Sequence, residues 1–278
     1  MGVVAAIVTA VSCASHQRGG LMTWEEYGSR SIQWPYPLRF DPRHGSLLYF
    51  GARHTYAPQD AQVEQIEKLW ACFRPTIAFN EGGNPPVAAS RDVAVEKYGE
   101  AGLVRFLAAR DDIPVASLDP DRAEEVAHLR RRFSAPEVKL FFVLRAVAQF
   151  ADRHSPDGVD AELERVLAIF NRSPGLGGSP TTVAEVAEAF RERFPDTNGY
   201  RATPLSWFDP MRSETFLNRV SRSSSEYRDR VIVALLARHV ADGQRVFAVV
   251  GGTHVVMQQE ALEAQLGSRG RRPTNGCS

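Results

Sequence analysis

The chain has 278 residues, 44% apolar and 24% charged, an ordinary globular make-up with room for one large α/β domain or two small ones. Its 33 basic residues balance 33 acidic ones, so no net field draws it to nucleic acid or anionic lipid, and a polyanionic partner is disfavoured. The three cysteines, Cys13, Cys72 and Cys277, are too few and too scattered for a zinc cluster or a disulfide framework, so any metal would need histidine and carboxylate ligands.

Met1 to Ser15 is a run of small apolar residues with the length of a signal-peptide core, too short to span a bilayer and lacking a basic start. Residues 1–20 read as a leader or lipoprotein-type segment, against the plainer readings of an ordinary first strand or an incomplete leader. Ala10-Val11-Ser12-Cys13 loosely matches a bacterial lipoprotein box, which would give membrane attachment through a lipid anchor at Cys13 and a secreted, periplasmic or membrane-anchored protein; otherwise the chain is cytoplasmic. Thr23 to Asp41, rich in Trp, Tyr, Pro and Gly, suits an irregular arm packed on a domain surface.

Ser46 to Phe50 is an apolar strand running into Gly51-Ala52-Arg53-His54. From Pro58, the spacing of Ala61, Val63, Ile66, Leu69, Trp70 and Phe73 predicts an amphipathic helix. Thr76 to Phe79 is a second short strand, ending in Asn80-Glu81-Gly82-Gly83. A helix follows over about 91–110, and Ile113 to Leu118 reads as a third strand with Asp119 at its end. Alternating strands and helices argue for a largely parallel sheet, which binds ligands outside the carboxyl ends of its strands.

Residues from about 122 to 224 carry almost no strand signal and read as a helical insertion able to cap the sheet edge. Within them, Pro136 opens a strongly apolar helix, Thr182-x-x-Glu185 is a capping box, and Asn171 to Pro180 is a loop between helices. Ser225 to Asp242 reads as a long helix closed by Gly243, leading into the strand Arg245 to Val250 and Gly251-Gly252-Thr253-His254. Val255 to Leu266 is a last helix, and residues 267–278 read as a disordered tail. The expected fold is thus one α/β domain over residues 21–266, with a mostly parallel central sheet from two related strand-GxxH-helix halves and the helical insertion between them.

Gly-x-x-His alone is a poor signal, expected by chance about 0.5 times in a chain with 21 glycines and 7 histidines. Context raises it, because both copies end strand-length apolar runs and both precede a helix. A glycine at Gly51 and Gly251 is expected to take φ > 0 and turn the chain sharply, leaving each imidazole at the sheet edge. Two imidazoles with a carboxylate suit a borderline divalent ion such as Mn, Co or Zn, with positions open for water and substrate. The candidate ligands are His54, His254 and Glu81. Glu81 or Asp119 is the candidate proton acceptor, and Arg228 on the long helix the candidate for binding a substrate carboxylate or stabilising an oxyanion.

The order strand-GARH-helix, FNEGG, a strand ending in Leu-Asp, SEYRDR and finally RVFAVVGGTH resembles the TraB/GumN group that includes the Tiki metalloproteases, within a broader set related to the ChaN haem-binding lipoprotein and the erythromycin esterases (the EreA/ChaN-like fold). The resemblance covers about 47–119 and 225–266 and leaves the helical middle unmatched. His54 and His254 match the paired histidines of that family and Glu81 its acid. Members often have Leu-Glu where this chain has Leu118-Asp119, and many have Arg-Asn at Arg228-Asp229. The resemblance implies an α/β fold of two related halves and metal-dependent hydrolysis in the Tiki branch, and also haem binding and ester cleavage on similar scaffolds. The expected activity is therefore metal-dependent cleavage of peptide or other acyl bonds in a peptide or small-molecule substrate. The alternative is a non-catalytic envelope lipoprotein binding haem or a small ligand beside an aromatic slot such as Phe50 or Tyr56, and a purely structural envelope protein is a third reading.

Overall fold

The computed structural model describes residues 20–153 and 156–273. The leader and lipoprotein-box readings, with Cys13, fall outside those residues, as does the end of the tail. Among the described residues no helix is long and apolar enough to cross a membrane.

The protein is α/β, with a five-stranded, mostly parallel sheet in the order β1-β2-β5-β3-β4. The strands are β1 (Tyr36–Phe40), β2 (Ser46–Ala52), β3 (Ile77–Asn80), β4 (Val115–Ser117) and β5 (Arg245–Gly251). β2, β5, β3 and β4 run parallel, and β1 is antiparallel to β2. The last strand in sequence is therefore inserted between the first two parallel ones, which sets the two glycine motifs side by side. In register, Gly51 lies opposite Val250 and Gly251 opposite Ala52.

The two faces of β2 and β5 are both covered, as expected of a parallel strand that reads as a continuous apolar run. Leu47, Tyr49, Val246, Ala248 and Val250 pack on one side with Ile232, Val233, Leu236, Val255 and Leu262. Those partners come from α8 (Phe216–Ala241) and α9 (Gly252–Leu266). Leu48, Phe50, Phe247 and Val249 pack on the other side against α2 (Ala61–Phe73) and α3 (Arg91–Arg110), through Val63, Ile66, Trp70, Leu103 and Leu107. The helical insertion has a hydrophobic core of its own, centred on Phe141, Leu144, Leu163, Val186 and Phe190. Its helices include α4 (Arg122–Leu129), α5 (Ala135–Ala151), α6 (Val159–Phe170) and α7 (Val183–Arg193), while α1 (Trp24–Gly28) precedes β1. The amino-terminal part of α8 belongs to this second core through Leu217 and Val220, so a single long helix joins insertion to sheet.

Several expectations are corrected. The aromatic arm is not irregular throughout, because Leu38 and Phe40 are buried in β1; Pro37 is tolerated there because β1 is near the sheet edge. α8 starts at Phe216, not Ser225, under a capping box between Thr215 and Asn218. The poor helix formers Ser221 and Ser224 are held by tertiary bonds, Ser221 Oγ donating to Phe208 O and Ser224 Oγ to Glu125 Oε1 at 2.6 Å each. The tail is ordered as far as it is described, since Arg271 pairs with Arg39 of β1 and Arg272 lies over the Tyr36 ring.

Candidate functional site

The carboxyl ends of four adjacent parallel strands carry the predicted residues. His54 follows β2, Gly251 ends β5, Glu81 follows β3 and Asp119 follows β4, while His254 stands on the first turn of α9. The two halves are not equivalent locally. After β5 the helix begins at once at Gly252, whereas after β2 the chain runs through an irregular loop and a turn before Asp60 caps α2. His254 is therefore held on a helix with 13% of its side chain exposed, and His54 sits in a loop with 68% exposed.

Neither motif glycine takes positive φ, and Gly251 sits at φ −55°, ψ 135°. What demands glycine is close approach. A Cβ on Gly251 would lie 3.0 Å from His54 Nε2 and 3.3 Å from Glu81 Oε2, and one on Gly51 would meet Tyr36 O at 2.9 Å. The positive φ expected at these glycines is thus corrected, and close approach is what excludes a side chain at both.

Glu81 is the hub. Its Oε1 accepts from Arg228 Nη2 at 2.7 Å and lies 3.4 Å from His254 Nε2, and its Oε2 accepts from the Gly251 N–H at 2.7 Å. Burial opposes the charge, but His254, Arg228 and the Gly251 amide outweigh it and hold the carboxyl well below the usual range. Asp119 is bound on every side: Oδ2 accepts from the Gly82 and Gly83 amides at 3.0 and 2.6 Å and from Ser117 Oγ, and Oδ1 accepts from Arg228 at 2.8 Å. It shapes the Gly82-Gly83 turn and steadies Arg228. Arg228 spends Nη2 on both acids, while its Nη1 and Nε make no bond among the described residues.

Two acids that the sequence reading did not assign complete the arrangement. Asp229, buried, faces His254 Nδ1 at 2.5 Å and also accepts from Gln258 Nε2, while the Oε1 of Gln258 accepts from Tyr49 OH. Burial works against an imidazolium here, but the Asp229 and Glu81 charges prevail and lift His254 to about 10. Glu100, buried, lies 3.5 Å from His54 Nδ1 and accepts from the Thr55 amide at 2.7 Å. The His54 pKa is raised, chiefly by Glu100, against the effect of burial and with help from Glu81. Glu100 reaches the site because α3 breaks at Gly99, whose φ 58°, ψ −143° is a glycine conformation, and whose missing side chain lets Thr55 O approach. That isolated glycine in a helical pattern was the available signal for Glu100. For Asp229 the signal was its place beside Arg228.

Each histidine thus turns Nδ1 to a buried carboxylate and leaves Nε2 on the side of Glu81 and Gly251, the carboxylate–histidine pattern that orients metal ligands. The 3.4 Å between His254 Nε2 and Glu81 Oε1 is also the spacing of two ligands around a tetrahedral ion with bonds of about 2.1 Å. Among the described residues no group of three or more His, Cys, Asp or Glu is drawn together tightly enough to hold a metal. Glu81 and His254 alone stand at the separation of two ligands, and His54 stands off from them. Of the aromatic residues considered for a haem face, Phe50 is fully buried in the core, and Tyr56 accepts from Arg153 Nη1 at 2.8 Å. No protein-family profile, curated protein or solved structure matches this chain.

Proposed function

We propose that this protein is a metal-dependent hydrolase of peptide or other acyl bonds whose divalent ion is held by His54, His254 and Glu81. The observation that carries the reading is the doubled carboxylate–histidine arrangement, Asp229 behind His254 and Glu100 behind His54, with both Nε2 atoms facing Glu81. A histidine kept only for packing needs one partner; it has no need of a shared space at the mouth of a parallel sheet. When bound, such an ion lowers the pKa of water and polarises a substrate carbonyl.

The chain's own residues divide the remaining work. Glu81, held ionised, is a good ligand and a poor proton acceptor, and Asp119, its oxygens committed, positions Arg228 and the Gly82-Gly83 turn. Arg228 has donors left to meet charge developing on a substrate oxygen near Glu81. Export, with an anchor at Cys13, is proposed on the sequence alone.

The test is a panel of peptides and esters assayed after loading with Mn, Co or Zn. Activity should appear with metal, vanish with chelator, and be absent in His54→Ala and His254→Ala. A haem absorption band lost on His54→Ala, with no divalent ion bound to the wild type, would overturn the hydrolase reading.

A further inference from the structure

The second glycine of Gly251-Gly252-Thr253-His254 has no part in the ligand geometry, and its neighbour accounts for it. A Cβ on Gly252 would fall 1.8 Å from Trp34 Cζ3 and 2.5 Å from Trp34 Cε3, so the indole rests by its benzo edge directly on the Gly252 backbone. The pairing of β1 with β2 brings Trp34 to that place. Tyr36 lies opposite Gly51, and because the two strands are antiparallel the residues before Tyr36 run past the carboxyl end of β2, where Arg53 and His54 follow. A Cβ on Gly251 would stand 3.0 Å from His54 Nε2, so through Gly252 and Gly251 the ring edge is no more than about 12 Å from that nitrogen. Such a span is at most about three residues of extended chain.

Trp34 is 36% exposed, and its Nε1–H makes no hydrogen bond among the described residues. The ring is nonetheless held in place. Tyr36 meets it edge-on with centroids 6.3 Å apart, and Arg272 fastens the chain on either side of it, donating to Pro35 O at 3.0 Å and to Gln33 O at 3.3 Å while lying over the Tyr36 ring. An apolar ring that is both fixed and open to solvent at the mouth of a site can receive a ligand with little loss of side-chain freedom. The electron-rich face of the indole disfavours an acid, and the Arg272 guanidinium disfavours a base, so an uncharged planar group fits best.

We infer that Trp34 is a specificity-determining residue, stacking on an aromatic side chain of the substrate within about three residues of the bond to be cleaved. This rests on the hydrolase reading for the bond but not for the binding of the aromatic group.

The test uses the full chain in chelator, so that metal binding does not enter. N-acetylphenylalaninamide and N-acetylalaninamide are titrated by NMR into wild type, Trp34→Tyr and Trp34→Ala. Wild type should bind the phenylalanine compound about three- to tenfold more tightly, with the Trp34 Nε1–H resonance moving for that compound. Trp34→Ala should erase the preference, and Trp34→Tyr should keep part of it through the smaller ring. Equal affinity for the two compounds in the wild type, or a full preference in folded Trp34→Ala, would overturn the inference. Should Trp34→Ala not fold, an unmoved Trp34 resonance in the wild type, assigned by its loss in Trp34→Tyr, overturns it equally. A chain that prefers the aromatic compound but takes up no metal would leave this inference standing and remove the hydrolase. A metal-loaded chain that cleaves alanyl and phenylalanyl substrates equally well would remove this inference alone.

Discussion

Replacing Gly251 with alanine separates the site from the fold. The backbone at φ −55°, ψ 135° suits alanine without strain, and exchanging glycine for alanine at such a position stabilises by about 0.4–1 kcal/mol through the unfolded chain. The added Cβ, however, would stand 3.0 Å from His54 Nε2 and 3.3 Å from Glu81 Oε2, tighter than side chains normally pack. Glu81 is fixed by Arg228 and by the Gly251 amide, so the exposed His54 ring is the group that gives way. Moving one of three ligands should weaken metal binding at least tenfold, about 1.4 kcal/mol or more. Calorimetric titration with Mn, Co or Zn measures the affinity, and thermal unfolding of the metal-free protein the stability. The expected result is weakened binding with a melting temperature unchanged or slightly raised. Unaltered affinity would refute the reasoning, since the space beside Gly251 would not then be where the ion sits.

Asp229→Asn keeps an acceptor for the His254 Nδ1 proton but removes its charge, so burial should bring the His254 pKa well below its value of about 10; an NMR titration checks this, and an unmoved pKa would deny Asp229 its role. Glu100→Gln should likewise lower the His54 pKa and cost about 10–100-fold in metal affinity, read by the same titrations. Gly99→Ala forces a side chain into a left-handed conformation against Thr55 O and should destabilise by about 1–3 kcal/mol, visible in denaturant unfolding.

The metal-free protein should also show a pH optimum of stability set by two opposed groups. His254 has a folded pKa raised from 6.5 to about 10, so its contribution is complete below 6.5 and is lost as pH climbs to 10. Glu81 is depressed from 4.5, so its contribution is complete above 4.5 and is lost as pH falls through the lowered value. Urea unfolding should therefore give greater stability at pH 5.5 than at pH 9, by about 1 kcal/mol or more. A flat profile would mean that His254 does not sit against Asp229 as described.

The strands and the sheet edge were legible because β2 and β5 are buried on both faces and so write themselves as unbroken apolar runs. β1 was not, since Pro37 and Arg39 interrupt its pattern at the margin of the sheet. The start of α8 was hidden because Ser221 and Ser224 are held in the helix by partners outside it, Phe208 and Glu125. The candidates His54, His254 and Glu81 could be picked from local motifs, because each closely follows an apolar strand and lies near glycines. Their supports could not. Glu100 lies 46 residues after His54 and is aimed by a helix break, and Asp229 lies 25 before His254 on another helix, so each depends on packing that no local pattern records.

The most direct test of the central claim is metal stoichiometry by elemental analysis and cobalt absorption, in wild type, His54→Ala and His254→Ala, each confirmed as folded. The account predicts one equivalent of divalent ion per chain in the wild type and loss of binding in either variant. A wild type that takes up no ion, or variants that retain a full equivalent with an unchanged cobalt spectrum, would contradict it.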